Sequence, residues 1–257
     1  MSRFTPHVSP TCVPPRMEQT IVAKPTRAGV SLPLVGIVVL LAVFFLGGLF
    51  WLLSPKDLQE PLIQTFPAAA PLPFGTTEDG HPYLGNADAP VTVYEFADFQ
   101  CPHCKQHNDV FAREFEKTFI TPGKVKLVWV TFPFMGDGTE SDESVLASMA
   151  GYCGLEQGKF WEVHDWLFEN QGPAANQGQF NKERLRKIAE RMSLDVTKWD
   201  ACMDASATRD KALADKAKAQ EQGVASTPSF MVGETIVEGT GTEKMAELAA
   251  VIDKPSQ

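Results

Sequence analysis

Cys101-Pro102-His103-Cys104 is the stretch of this 257-residue chain whose residue types and spacing carry the clearest chemistry. Two cysteines three positions apart on the first turn of a helix lie within disulfide reach of each other. The thiolate is the reactive form of cysteine. A helix N-terminus and a nearby cation lower a thiol from ~8.5 to ~3.5–7.5 in such motifs. Cys101 would sit where free N–H groups and the helix dipole favour negative charge. Pro102 suits the first helical position, and His103 can add a positive charge or a donor. Cys101 is therefore expected to be the exposed, acidic nucleophile. Cys104, deeper in the helix, is expected to resolve the mixed disulfide. Zinc uses the same spacing but needs further ligands. Cys153 and Cys202 are isolated, and His103 and His107 are the nearby supplements, so redox use is the stronger reading and no metal or cofactor is expected.

Glu95 precedes Cys101 by six residues. On a period-2 pattern it shares a face with Val91 and Val93, so its carboxylate is expected to be desolvated, with a raised pKa. Near the deeper thiol it could relay a proton during exchange; the alternative is a Glu exposed at a strand edge. Asp98 reads as a simple loop acid or cap.

The elements that must position these residues follow from the pattern. Residues 89–97 alternate and are rich in β-formers, residues 101–119 read as a helix, and residues 124–132 as a second strand. A helical block runs from about 139 to 222, with helices at 143–156, 159–170, 182–192, 196–204 and 208–222. Residues 228–232 and 234–238 form a hairpin around Gly233, and 243–253 a closing helix. The order strand–helix–strand, helices, strand–strand–helix implies an α/β sandwich interrupted by an inserted helical bundle. Thr227-Pro228 opens a strand, and since few X-Pro bonds are cis, periodicity alone favours a trans turn there. Trp161, Trp166 and Phe168 read as core of the helical block, and His164 as a packed histidine.

Upstream, residues 34–53 carry no charge. At ~1.5 Å per residue, a helix of that length spans a bilayer core of ~30 Å. Ser31 can cap it and Pro33 suits its first turn. Arg3, Arg16, Lys24 and Arg27 precede the run, and Lys56 follows closely, which places the N-terminus in the cytoplasm and the rest outside. A cleaved signal peptide and a buried soluble helix are the competing readings, but the apolar run is long and no small-x-small site follows it directly. The expected division is a cytoplasmic tail at 1–30, a transmembrane anchor at 31–53, a Pro-rich linker at 54–77 and the globular domain at 78–257. Beyond residue 55, 19 basic residues face 31 acidic ones, a net charge of −12, which argues against nucleic-acid partners.

The run GNADAPVTVYEFADFQCPHC, the segment Gln157-Gly158-Lys159-Phe160-Trp161 and the late Ser226-Thr227-Pro228-Ser229-Phe230 resemble the DsbA-like branch of the thioredoxin superfamily over about residues 78–253. The resemblance implies a thioredoxin fold with an inserted helical domain. It implies a nucleophilic Cys101, a resolving Cys104, a buried acid at Glu95, and a cis-Pro at Pro228 facing the disulfide. Thr227 would offer its backbone to an extended substrate segment. The implied activity is a membrane-tethered thiol:disulfide oxidase acting on exported cysteine-containing proteins. The implied partner is a membrane reoxidase of the DsbB or VKOR type, and the protein is expected to be monomeric. A reductase or isomerase is the alternative, which Thr before the cis-Pro keeps open. A non-catalytic tethered chaperone or metal-binding module is the other.

Parity and compartment extend the reading to the remaining cysteines. Cys12 would face the reducing cytoplasm and stay free. Cys153 and Cys202, outside and on separate helices, are expected to form a structural disulfide; two buried free thiols are the alternative.

Overall fold

The computed structural model describes residues 72–139 and 141–254, together with Ile37, Leu40, Leu41 and residues 43–46. The chain divides into two units, Met1–Leu62 and Ile63–Gln257. Of the first, the described residues are helical and exposed. Most of the expected anchor, the tail with Cys12, and residues 54–71 of the expected linker lie outside the described residues. Among the described residues, no helix is long and apolar enough to cross a membrane.

The second unit is built on a six-stranded sheet in the order β1-β2-β4-β3-β5-β6. Its strands are β1 (Phe74–Thr76), β2 (Pro82–Leu84), β3 (Val91–Ala97), β4 (Val125–Thr131), β5 (Ser229–Val232) and β6 (Thr235–Glu238). β3 and β4 are parallel, with Glu95 opposite Trp129. β5 runs antiparallel to β3, with Phe230 opposite Glu95. Both central strands are rich in Val and aromatics and are covered on both faces, as parallel pairs require. Gly233, at φ 60°, opens the two-residue turn between β5 and β6, a backbone region that glycine enters without a Cβ clash.

β1 and β2 correct the expected boundary at residue 78. β1 lies inside the stretch read as linker, and β2 bridges it to β4. Three-residue strands are too short for an alternation to be read. β1 pairs only with β2, and the other partner of β2, β4, lies some forty residues downstream.

The single helix expected over 101–119 is interrupted. α1 (Pro102–Gln106) passes into a π-helical turn (His107–Phe111), then α2 (Ala112–Phe115) and a second π-helical turn (Glu116–Ile120). Such turns accommodate an extra residue and re-aim the side chains after them.

Between β4 and β5 lies the inserted bundle: α3 (Glu143–Glu156), α4 (Phe160–Glu169), α5 (Lys182–Arg191), α6 (Val196–Asp204) and α7 (Ser206–Glu221). α3 is its axis, with every residue from Glu143 to Gly154 buried. Its small residues permit close packing on all sides: a Cβ on Gly154 would come within 2.6 Å of Val163 on α4. Asp142 caps α3 by accepting from Val145 N at 3.1 Å, and Asn181 and Asp195 cap α5 and α6. α8 (Thr242–Ile252) closes the chain against the core formed by Val93, Phe119, Val125 and Phe230.

Candidate active site

The redox turn is placed by the end of β3. Cys101 N donates to Asp98 O at 3.0 Å, which folds the chain back on itself between strand and helix. Cys101 is the N-cap of α1, with Pro102 at its first position, where a missing N–H costs nothing. From the opposite side the Thr227–Pro228 peptide, which is cis, approaches the same turn. Cys101 Sγ lies 3.4 Å from Thr227 O. Gln171, just past α4, donates to Phe99 O at 2.7 Å and to Cys101 O at 3.0 Å.

These contacts correct one expectation. Cys101 is not exposed: it retains 4% of its accessible surface, against 1% for Cys104. The Thr227 carbonyl and the Gln171 amide close over a turn that a helix terminus alone would leave open. Both cysteines are free thiols here.

The two sulfurs are nevertheless chemically unlike. The Cys101 thiol is lowered to about 5, first by the hydrogen bond from the Cys104 thiol, against the opposing effect of burial. The Thr227 hydroxyl and the backbone N–H groups of Cys104 and His103 lower it further. That hydroxyl is buried and makes no hydrogen bond to the other described residues, so it is available to the sulfur. Burial pushes the Cys104 thiol well above its ordinary value, and its bond to Cys101 adds to this. At neutral pH the pair is therefore one thiolate and one thiol that donates to it. His103 contributes through its backbone; its side chain is exposed.

A thiolate at a helix start, a thiol one turn deeper and a cis-proline loop against them form a thiol–disulfide exchange site. The comparisons agree with this geometry. The family model described as Thioredoxin matches residues 77–254. The chain belongs to the thioredoxin family. Within it the chain is of the DsbA type, a thiol–disulfide oxidoreductase. It is 30% identical over 150 residues to the probable disulfide bond formation protein D of Bacillus anthracis, covering 58% of this chain and 68% of that one. It is 40% identical over 94 residues to the disulfide bond formation protein D of Bacillus subtilis, covering 36% and 40%. The crystal structure of oxidised BdbD from Bacillus subtilis superposes with a TM-score of 0.60 at 26% identity, covering 71% of this chain and 99% of that one.

In this DsbA-type oxidoreductase the acid at Glu95 is 6% exposed. Burial, with Glu116 adding to it, pushes its carboxyl up to about 8. Its near partner is His107, whose Nε2 lies 3.8 Å from Glu95 Oε1, one helical turn beyond Cys104. His107 is itself pushed down to about 4, by burial first and His164 second, and packs over Phe230 with ring centroids 4.8 Å apart. Both groups are thus neutral near pH 7, because desolvation outweighs their mutual attraction at that distance.

Cys153 on α3 and Cys202 on α6 are joined in a disulfide with Cα atoms 5.7 Å apart. His164 is buried among Phe99, Trp129, Phe160, Trp161 and Phe168. Phe99 stacks on Trp129 at 5.1 Å and belongs to the same apolar cluster as both active-site cysteines.

Asp98 is where sequence reasoning fell short. It caps Gln100 N at 2.8 Å, as a loop acid would, but it is fully buried. Its carboxylate also accepts from Ser144 Oγ at 2.8 Å and from Met135 N at 2.6 Å. Gln100 Nε2 donates to Ser144 Oγ at 2.8 Å and to Asn176 Oδ1 at 3.1 Å. Asp98 lies between Ala97 and Phe99, both buried, and that apolar flanking was the available signal. Gln100, Gln171 and Asn176 carried none, since each acts across the fold.

Proposed function

We propose that this protein is a membrane-tethered disulfide oxidase that introduces disulfides into exported proteins. The observation that carries the direction of electron flow is the contrast between the two sulfurs: Cys101 lowered to about 5, Cys104 well raised. A stabilised Cys101 thiolate favours the reduced protein, and so makes its disulfide oxidising.

In this reading a substrate thiolate attacks Cys101 Sγ of the oxidised pair. The Cys101–Cys104 bond breaks, and Cys104 leaves with the electron pair and takes up a proton. A second substrate thiolate then attacks the substrate sulfur of the mixed disulfide and expels Cys101, whose low pKa makes it a good leaving group. The substrate is oxidised by two electrons, and the dithiol protein is reduced. Glu95, buried and protonated near neutrality, is the proton reservoir for Cys104. Thr227 and Pro228 offer their backbone to an extended substrate segment. Reoxidation falls to a membrane partner of the DsbB or VKOR type.

The tether is residues 31–53, and its charge asymmetry supports a cytoplasmic N-terminus and an extracytoplasmic catalytic domain. The relatives named disulfide bond formation protein support the oxidase direction.

The test is trapping in cells. Cys104→Ser in the full chain should accumulate mixed disulfides with exported proteins in the membrane fraction, and Cys101→Ser should not. Equal trapping by both variants would overturn the roles of the two thiols. Recovery of the trapped species as soluble cytoplasmic protein would overturn the tether.

A further inference from the structure

Asp98 is a buried carboxylate that the exchange steps above do not use. Three donors from three places converge on it: Gln100 N from the redox turn, Met135 N from the segment after β4, and Ser144 Oγ from the first turn of α3. Its own backbone carbonyl accepts from Cys101 N, and its backbone N–H serves the Cys104 sulfur. One residue thus ties both cysteines to the inserted bundle. Neutral groups could make such a fastening. A full charge in a dry site is costly, and here it stands close enough to be felt by both sulfurs.

We propose that Asp98 is a positioning residue that tunes the redox pair: it fastens the Cys101 turn to α3, and its buried negative charge opposes the charge on the Cys101 thiolate, holding the pair less oxidising than the helix terminus alone would make it. The inference rests on Cys101–Cys104 being the redox pair.

The environment supports this assignment. Burial raises the Asp98 carboxyl to about 6 against its three hydrogen bonds, with the Cys101 charge a further contribution. The coupling is reciprocal: a thiolate that raises Asp98 is itself destabilised by ionised Asp98. The other titratable groups on the elements around it are engaged elsewhere. Asp142 accepts from Gly138 N and Val145 N, and Glu143 from Gly178 N and Phe180 N. Lys216 of α7 donates to Pro133 O, in the segment that carries Met135. On reduction the disulfide takes two electrons from a dithiol and leaves a Cys101 thiolate and a protonated Cys104. Around pH 6 Asp98 gains a further fraction of a proton in that step, because the new thiolate raises its pKa.

The experiment measures the equilibrium of the purified catalytic pair with glutathione, and the Cys101 thiolate titration, in the parent, Asp98→Asn and Ser144→Ala proteins at pH 6 and pH 8. Asp98→Asn should raise the equilibrium constant for glutathione oxidation at pH 8, where an ionised Asp98 stands beside the thiolate, roughly threefold for each half-unit by which that thiolate raises Asp98. Ser144→Ala keeps the charge but removes one donor, so it should match the parent at pH 8 and move part-way towards Asp98→Asn at pH 6. A merely structural Asp98 would lower stability in both variants and leave the glutathione equilibrium in place at both pH values; that result overturns the proposal. If Asp98→Asn does not fold, an unmoved Ser144→Ala equilibrium at pH 6 overturns it instead. Failure of the redox-pair reading is distinguishable, because the parent itself would then show no glutathione-dependent equilibrium at Cys101 and Cys104.

Discussion

Replacing Glu95 by Gln should make the protein more stable, and by an amount that grows with pH. Glu95 titrates from 4.5 when unfolded to about 8 when folded. Between those values the folded state holds a proton that the unfolded state has lost. The stability contribution of Glu95 is therefore fully present below pH 4.5 and is lost as pH rises towards 8, at about 1.4 kcal/mol per pH unit. By pH 7 the loss is about 3 kcal/mol, and it levels off above pH 8. His107 works in the opposite sense: lowered from 6.5 to about 4, it contributes stability above pH 6.5 that is lost as pH falls to 4. The Glu95 and His107 slopes cancel between pH 4.5 and 6.5, while Asp98, raised to about 6, and the Cys101 thiol, lowered to about 5, add slopes of their own, so the Glu95 contribution is read from the difference between parent and variant. Glu95→Gln keeps a neutral side chain of nearly the same shape and removes only the Glu95 slope. Urea midpoints of both proteins at half-unit steps from pH 4.5 to 8.5 isolate it, since Asp98 and the thiols titrate alike in the two. The difference should be near zero at pH 4.5 and widen towards pH 8. Parallel curves, or a variant less stable by a constant amount, would refute the argument that desolvation governs this carboxyl.

Two further outcomes follow from the site and the bundle. The Cys101 thiolate, followed by its ultraviolet absorbance in the reduced protein, should titrate with a midpoint near 5; a midpoint near 9 would mean that burial dominates the sulfur. The Cys153–Cys202 bridge closes a loop of 49 residues, so a Cys153→Ala, Cys202→Ala protein should lose up to about 4 kcal/mol of unfolding free energy by chain-entropy reckoning. An unchanged denaturation midpoint would argue that the bundle is held by its apolar core alone.

The parts of this molecule legible in the sequence are those fixed by local pattern. The strands leading into and out of the redox helix, the five helices of the insertion and the hairpin at Gly233 have strong periodicity or a turn residue, and the structure places them within a few residues of expectation. Glu95 was readable because alternation alone puts it beside Val93. What could not be read depends on distant chain. β1 and β2 exist because β4 offers an edge. The burial of Cys101 comes from Thr227 and Gln171, far along the chain. The Asp98 network needs Ser144 and Met135, which only the packing of α3 beside the redox turn brings to it. The Thr227–Pro228 bond illustrates the same limit: periodicity favours trans, the family resemblance implies cis, and the bond is cis.

The central claim, an oxidising Cys101–Cys104 pair, is tested most directly by equilibrating the protein with glutathione redox buffers and quantifying the two thiols by alkylation. The expected potential lies well above the ~−270 mV of thioredoxin, towards the strongly oxidising end of the superfamily near ~−120 mV. A value at or below thioredoxin's would contradict it and assign the protein to disulfide reduction.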